Sequence, residues 1–169
     1  MGSNELDVRS LLLAGEQEVY AGTTAGAWTY KFRLDRWERT PSNPPATLAS
    51  ERVLSMLPVG STPARRMILL GTAGEGLWQK AGDSASPATN WPSELGKAPV
   101  TSLTAFGDLI LAAVNGHGVY YSRSTPPKWA LLPRSPKNAA RVGFLKDDLL
   151  VVARDGSIWL LENAAEELK

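Results

Sequence analysis

A lone histidine, His117 in the segment Asn115-Gly-His-Gly118, and the absence of cysteine narrow the chemistry this sequence can carry. Without cysteine there is no disulfide, no thiol nucleophile and no thiolate zinc site. Zinc on His117 would need two or three carboxylates around it, an uncommon set, so no metal is expected. A serine nucleophile would want a Gly-x-Ser-x-Gly elbow, and the sequence has none. Gly71-Thr-Ala-Gly-Glu-Gly76 is glycine-rich, but a phosphate loop ends in Lys-Ser/Thr and a dinucleotide fingerprint opens a helix. Neither follows here, so these residues read as hairpin glycines. A sialidase needs an arginine cluster beside a Tyr nucleophile and an acid; Arg9, Arg33, Arg52, Arg65, Arg141 and Arg154 do not occupy equivalent positions that would build one. The sequence therefore predicts no catalytic residue, no cofactor and no enzyme.

The aromatic residues recur. Trp28, Trp78 and Trp159 fall at one repeat position, with Tyr120 filling it in the third unit, and Trp37, Trp91 and Trp129 fall at another. Recurrence of this kind suits packing between repeated sheets, where a large ring fills the wedge. A sugar-stacking site would also want an Arg or Glu recurring beside each Trp, and none does.

The elements that must carry these residues repeat as well. Val8-Arg-Ser-Leu-Leu-Leu13, Val53-Leu-Ser-Met-Leu57, Val100-Thr-Ser-Leu-Thr-Ala105 and Val142-Gly-Phe-Leu145 start four units. Each continues with a second apolar segment, from Val19, Ile68, Leu109 and Leu149, and a third that opens on Gly26, Gly76, Gly118 or Gly156. A period of about 42 residues made of short strands and turns is the mark of a repeat array. Glycine, Asn and Asp in the breaks supply the positive φ of tight hairpins. Second segments such as Leu149-Leu-Val-Val-Ala153 are apolar throughout and predict strands covered on both faces. Only Glu162 to Lys169 has helix-forming composition, in a length stable only when docked. The Pro-rich stretch Thr40-Pro-Ser-Asn-Pro-Pro-Ala46 reads as a connection between the first two units.

On Val19-Tyr-Ala-Gly-Thr-Thr-Ala-Gly-Ala-Trp28, and on Gly118-Val-Tyr-Tyr-Ser122 followed by Trp129, the chain resembles the Asp-box or BNR-type repeats of sialidase-like and photosystem II assembly-factor-like β-propellers. The box Asp and Gly are replaced, by Ser122-Arg-Ser-Thr-Pro-Pro-Lys-Trp129 and Leu34-Asp-Arg-Trp37. The resemblance implies an all-β fold: one β-propeller domain over residues 1–169, with blades near 8–40, 53–95, 100–133 and 142–162. Four blades close as a small ring, or two chains join as halves of a larger one, since an open half-ring would expose apolar end blades. The fourth unit lacks an outer strand, because Asn163-Ala-Ala-Glu-Glu-Leu168 has weak β propensity. The segment Asn4-Glu-Leu-Asp7 is expected to supply it, or to pair with a second chain.

Composition bounds the rest. Apolar residues are 43%, charged residues 21% and the net charge +1, which gives no reason to expect nucleic acid or an anionic membrane. The N-terminus carries no signal-peptide pattern, no stretch is long enough to span a bilayer, and cysteine is absent; a cytoplasmic location is favoured. The function expected is a non-catalytic protein-interaction or assembly module on a propeller scaffold, with a protein partner and, where two chains complete a larger ring, a homodimer. The alternatives are a carbohydrate-binding, lectin-like propeller with a glycan ligand, and a sialidase-like glycoside hydrolase. Partner-binding residues are expected in the second hairpin turns, at Thr24, Glu75, Asn115, His117, Arg154 and Asp155, where residue chemistry varies between units. Arg65 and Arg66, in a longer hairpin, form a second candidate set.

Overall fold

A computed structural model of the chain describes residues 7–14, 18–45, 47–60, 67–123 and 127–168. These residues form four separate antiparallel sheets, each a meander in chain order. Sheet 1 holds β1 (Val8–Leu13), β2 (Glu18–Thr23), β3 (Gly26–Lys31) and β4 (Arg36–Arg39). Sheet 2 holds β5 (Val53–Val59), β6 (Met67–Thr72), β7 (Leu77–Ala81) and β8 (Ser84–Pro87). Sheet 3 holds β9 (Val100–Phe106), β10 (Leu109–Val114), β11 (Gly118–Ser122) and β12 (Ala130–Leu131). Sheet 4 has three strands among the described residues: β13 (Ala139–Leu145), β14 (Asp148–Ala153) and β15 (Ile158–Leu161).

The sheets share details that the sequence alignment does not display. Pairing of the first strand with the second skips one residue at the same place in each: between Val8 and Ser10, Val53 and Ser55, Val100 and Ser102, and Ala139 and Arg141. Such a bulge bends and twists the strand locally. At the same end, the N–H that follows the second strand donates to the C=O that precedes the first. Thr24 donates to Asp7 (3.1 Å), Ala73 to Arg52 (3.0 Å), Asn115 to Pro99 (2.9 Å) and Arg154 to Asn138 (3.0 Å). By this register β13 begins at Ala139, three residues before Val142.

The first strands stand side by side, β1 next to β5, β5 next to β9, and β9 next to β13. Three apolar layers fill the spaces between sheets. Tyr20 and Ala27 of sheet 1 meet Val53, Ile68, Leu70 and Trp78 of sheet 2. Leu69 and Leu77 of sheet 2 meet Val100, Ile110, Ala112 and Val114 of sheet 3. Leu109, Leu111, Ala113 and Val119 of sheet 3 meet Ala139, Val142, Leu149 and Val151 of sheet 4. Side chains alternate between the faces of a strand. Every sheet thus has a back face, turned toward the preceding sheet where there is one, and a front face, turned toward the following one where there is one. The front side of β6 is tight: a Cβ on Gly71 would lie 2.5 Å from the Ser55 hydroxyl and 2.6 Å from the Val100 carbonyl oxygen.

The row stops at the fourth sheet. Among the described residues β13 and β1 lack the extensive packing that joins the other first strands, and no sheet closes or curls into a ring. The propeller expected from the repeats is not formed: the fold is all-β, with four separate small sheets of four, four, four and three strands. The repeats specify that each sheet covers its neighbour. Whether the last sheet reaches the first depends on the angles between sheets, which no residue pattern spells out. The strand expected from Asn4, Glu5 and Leu6 lies outside the described residues.

The edges are partly protected. The connection after sheet 1 runs along β8: Ala85 donates to Pro41 (2.8 Å) and Asn43 to Ala85 (2.7 Å), forming a parallel bridge that covers an exposed strand edge. After β15 the chain makes one helical turn, α1 (Ala164–Glu167), which docks through fully buried Ala164 on the layer between sheets 3 and 4. Arg123 clamps it, donating to the carbonyls of Leu168 (2.7 Å) and Ala165 and to the Asp108 carboxylate (2.6 Å). Among the described residues, no helix is long and apolar enough to cross a membrane.

Candidate interaction faces

The expected turn residues lie where the repeats place them, in the hairpins between second and third strands: Thr24 in sheet 1, Glu75 in sheet 2, Asn115 and His117 in sheet 3, Arg154 and Asp155 in sheet 4. The repeated bond across the sheet end holds the backbone at Thr24, Asn115 and Arg154, and the side chains of Glu75 and Asp155 are occupied locally. Glu75 pairs with Lys97. Asp155 accepts from the Ser157 hydroxyl (2.6 Å), the Ser157 N–H (2.9 Å) and Asn138 (3.1 Å), and these bonds hold its carboxyl below the usual range. Arg65 and Arg66 lie outside the described residues. Among the described residues, no three His, Asp or Glu side chains gather as a metal ligand set.

A shallow cavity of about 260 Å³ opens beside Glu75, lined by Leu77, Trp78, Pro87, Trp91 and Ser93 among others. Its indoles are used internally. The Trp78 N–H donates to the Glu75 carbonyl (2.9 Å) and that of Trp91 to the Leu95 carbonyl (3.2 Å), while Trp129 packs edge-on against Trp91 at 5.1 Å. These aromatics hold turns and layers together.

Sequence reasoning passed over a buried charged group between sheets 1 and 2. Lys80 is 8% exposed and sits 5.3 Å from the centre of the Tyr20 ring. Tyr20 donates to Glu18 (2.6 Å), and Lys31 pairs with Glu18 at 3.2 Å. Burial pushes the Lys80 amine down, against the attraction of Glu18. Burial also pushes Glu18 up, but the bonds from Tyr20 and Lys31 and the charges of Lys31 and Lys80 outweigh it, so Glu18 lies below the ordinary carboxylate range. Alternation along β2 and β7 puts Glu18 and Lys80 on facing sides, a relation visible only once sheet order is known.

The two ends of the row differ in kind from these polar clusters. On the back of sheet 1, Leu11 and Leu13 are 68% and 67% exposed and Val8 is exposed too. The positions matching Val8 and Leu11 in the later sheets are Val53 and Met56, Val100 and Leu103, and Ala139 and Val142, all packed on the sheet before. On the front of sheet 4, Ile158 is 69% exposed, and Leu145, Val152 and Leu160 are also exposed. The positions matching Ile158 are Ala27, Leu77 and Val119, at most 1% exposed. Each end is thus one half of an interface that the chain builds three times within itself. The sequence signal was present in apolar runs such as Leu149-Leu-Val-Val-Ala153, which were read as strands covered on both sides.

No family model and no curated protein matches the chain. Solved structures do resemble it. The computationally designed Ika4 protein matches with a TM-score of 0.67 at 8% identity, over 94% of this chain and 92% of that one. The extracellular domain of a B. thetaiotaomicron protein described as a one-component system matches at 0.68 and 18% identity, over 90% of this chain but 21% of that one. The WD40 β-propeller domain of Doa1 matches at 0.62 and 14% identity, over 96% of this chain and 53% of that domain. At such identities the likeness shows the arrangement of sheets alone. The Asp-box or BNR assignment is corrected on two grounds: no family model supports it, and the sheets form an open row. The docking module on a propeller scaffold loses its basis with the closed disc, as do the lectin-like and sialidase-like readings built on the same ring.

Proposed function

We propose that this protein works by association, with the back of sheet 1 and the front of sheet 4 as its binding surfaces and the apolar sheet face of another folded protein as what they bind. The observation that carries the reading is Leu11 and Ile158 standing in water at positions that pack on a neighbouring sheet wherever one lies on that side. Large contiguous apolar patches are uncommon on monomeric soluble proteins and mark sites of interaction. Burying a side chain of this size is favourable by roughly 1.5–3 kcal/mol, so several together supply the core of an interface. The partner sits on sheet faces in this reading, and the net charge of +1 with apolar surfaces argues against nucleic acid. The reading uses no catalytic residue, metal or cofactor, and a cysteine-free sequence suits a cytoplasmic setting.

Photo-crosslinking in cells tests it. A benzoylphenylalanine at Leu11 or Ile158 is expected to give a discrete protein adduct, and one at Asn115 in the turns is not. Adducts from Asn115 alone would overturn the assignment to the sheet faces.

A further inference from the structure

Resting on the association reading above, we infer that the partner is a second copy of this chain, the front of sheet 4 in one copy packing on the back of sheet 1 in the other, twice about a twofold axis. The first ground is internal. Between sheets 1 and 2 the front face contributes Ala14, Tyr20 and Ala27 and the back face Met56, Ile68 and Trp78. The strand registers place Leu145, Leu150 and Ile158 at the matching front positions of sheet 4. They place Leu11, Val19 and Trp28 at the matching back positions of sheet 1. All six are apolar: on the front, Leu145 and Ile158 stand where sheet 1 has Ala14 and Ala27, and Leu150 where it has Tyr20, while the back set is slightly smaller than its counterpart in sheet 2. The one cation on the front of β13, Arg141, curls toward sheet 3 and donates to the Thr101 carbonyl at 3.1 Å.

One position sets the contact apart from the internal ones. Gly22 faces Val53 and Gly71 faces Val100, whereas Val152 would face Val8. The two copies therefore stand wider apart at that rim than neighbouring sheets do within a chain.

The second ground is extent. The row follows 53% of the Doa1 domain with a TM-score of 0.62, so two such rows together span about the extent of one domain of that kind. Head-to-tail contacts close when the rotation allows it and otherwise grow as filaments. Closure with two copies covers all four apolar ends.

Sedimentation of the full chain from low to high micromolar concentration tests this. The expected mass is twice 18.2 kDa. Leu11→Asp and Ile158→Asp each place a carboxylate in both contacts and are expected to weaken pairing at least roughly 100-fold. Both residues are exposed in the single chain, so the circular dichroism of the variants stays unchanged. Mixing the two variants regenerates one intact contact, and pairing returns in part. Loss of pairing in Leu11→Asp with none in Ile158→Asp would mean back-to-back contact and overturn the head-to-tail arrangement, as would masses that grow without limit. A wild-type monomer that binds anilinonaphthalene sulfonate, with binding lost in the variants, would overturn the second copy while leaving the association reading standing. A monomer that binds none of the dye would overturn both.

Discussion

β10 and β14 are the same strand in two settings. Both are runs of six residues at the same place in their sheets, and apart from Asp148 both are apolar throughout. In β10, with a sheet on either side, every residue is buried. In β14 burial alternates: Leu149, Val151 and Ala153 are buried against sheet 3, while Asp148 and Leu150 are half-buried and Val152 is exposed. The residues at the end of the row are chosen as if a further sheet were present. The glycine positions sharpen the contrast. Gly22 and Gly71 are pressed by the next sheet, Ala113 fills the same place in sheet 3, and in sheet 4 the place holds Val152, with no sheet of its own chain against it.

The comparison can be broken most decisively with a matched pair. Leu111→Ala, in the layer between sheets 3 and 4, is expected to cost about 2–5 kcal/mol in chemical denaturation. Leu150→Ala, its counterpart on the open face, is expected to cost less than about 1 kcal/mol at concentrations where the chain is single. Equal losses would mean that the face is covered within one chain. Next in size is Gly71→Ala, whose Cβ meets Ser55 and Val100 at 2.5–2.6 Å; overpacking of this kind costs about 1–3 kcal/mol, and Val152→Ala is expected to change little. Arg123→Ala releases α1 by removing bonds to two carbonyls and a carboxylate. The expected loss is about 1–3 kcal/mol, with amide exchange of 163–168 accelerating well before that of β10.

The smallest effect concerns pH and the inner charged group. Glu18 lies below its ordinary range when folded, so its contribution is present above the unfolded value and is lost as pH falls through the folded one. Wild-type stability should decline slightly more steeply than that of Glu18→Gln between about pH 5 and pH 3. Glu18 is partly exposed, which keeps the difference small. Parallel curves would show that the bonds from Tyr20 and Lys31 do not hold the carboxylate.

Strand placement was legible because it is local: turn glycines and apolar runs follow each other in a fixed order, and Gly26 or Gly118 mark a hairpin with or without neighbours. Docking of the tail was also foreseeable, since Glu162 to Lys169 is too short to stand alone. Closure was not legible. Residues such as Ile158 say that a cover is wanted, not whether it comes from the same chain. The bulges at Arg9, Leu54, Thr101 and Ala140 left no trace, because these four residues share no chemistry. The faces at Leu11 and Ile158 were hidden for a related reason: an apolar strand residue reads as core until the sheet beside it proves absent.

The most direct test is hydroxyl-radical footprinting across a concentration series. Leu11, Leu145 and Ile158, exposed at the two ends, should become protected together as concentration rises, while Phe32, Leu34 and Leu131, exposed elsewhere, keep their reactivity. End residues that stay reactive at every concentration, or that are protected where the chain sediments at 18.2 kDa, would contradict an open row that pairs through its ends.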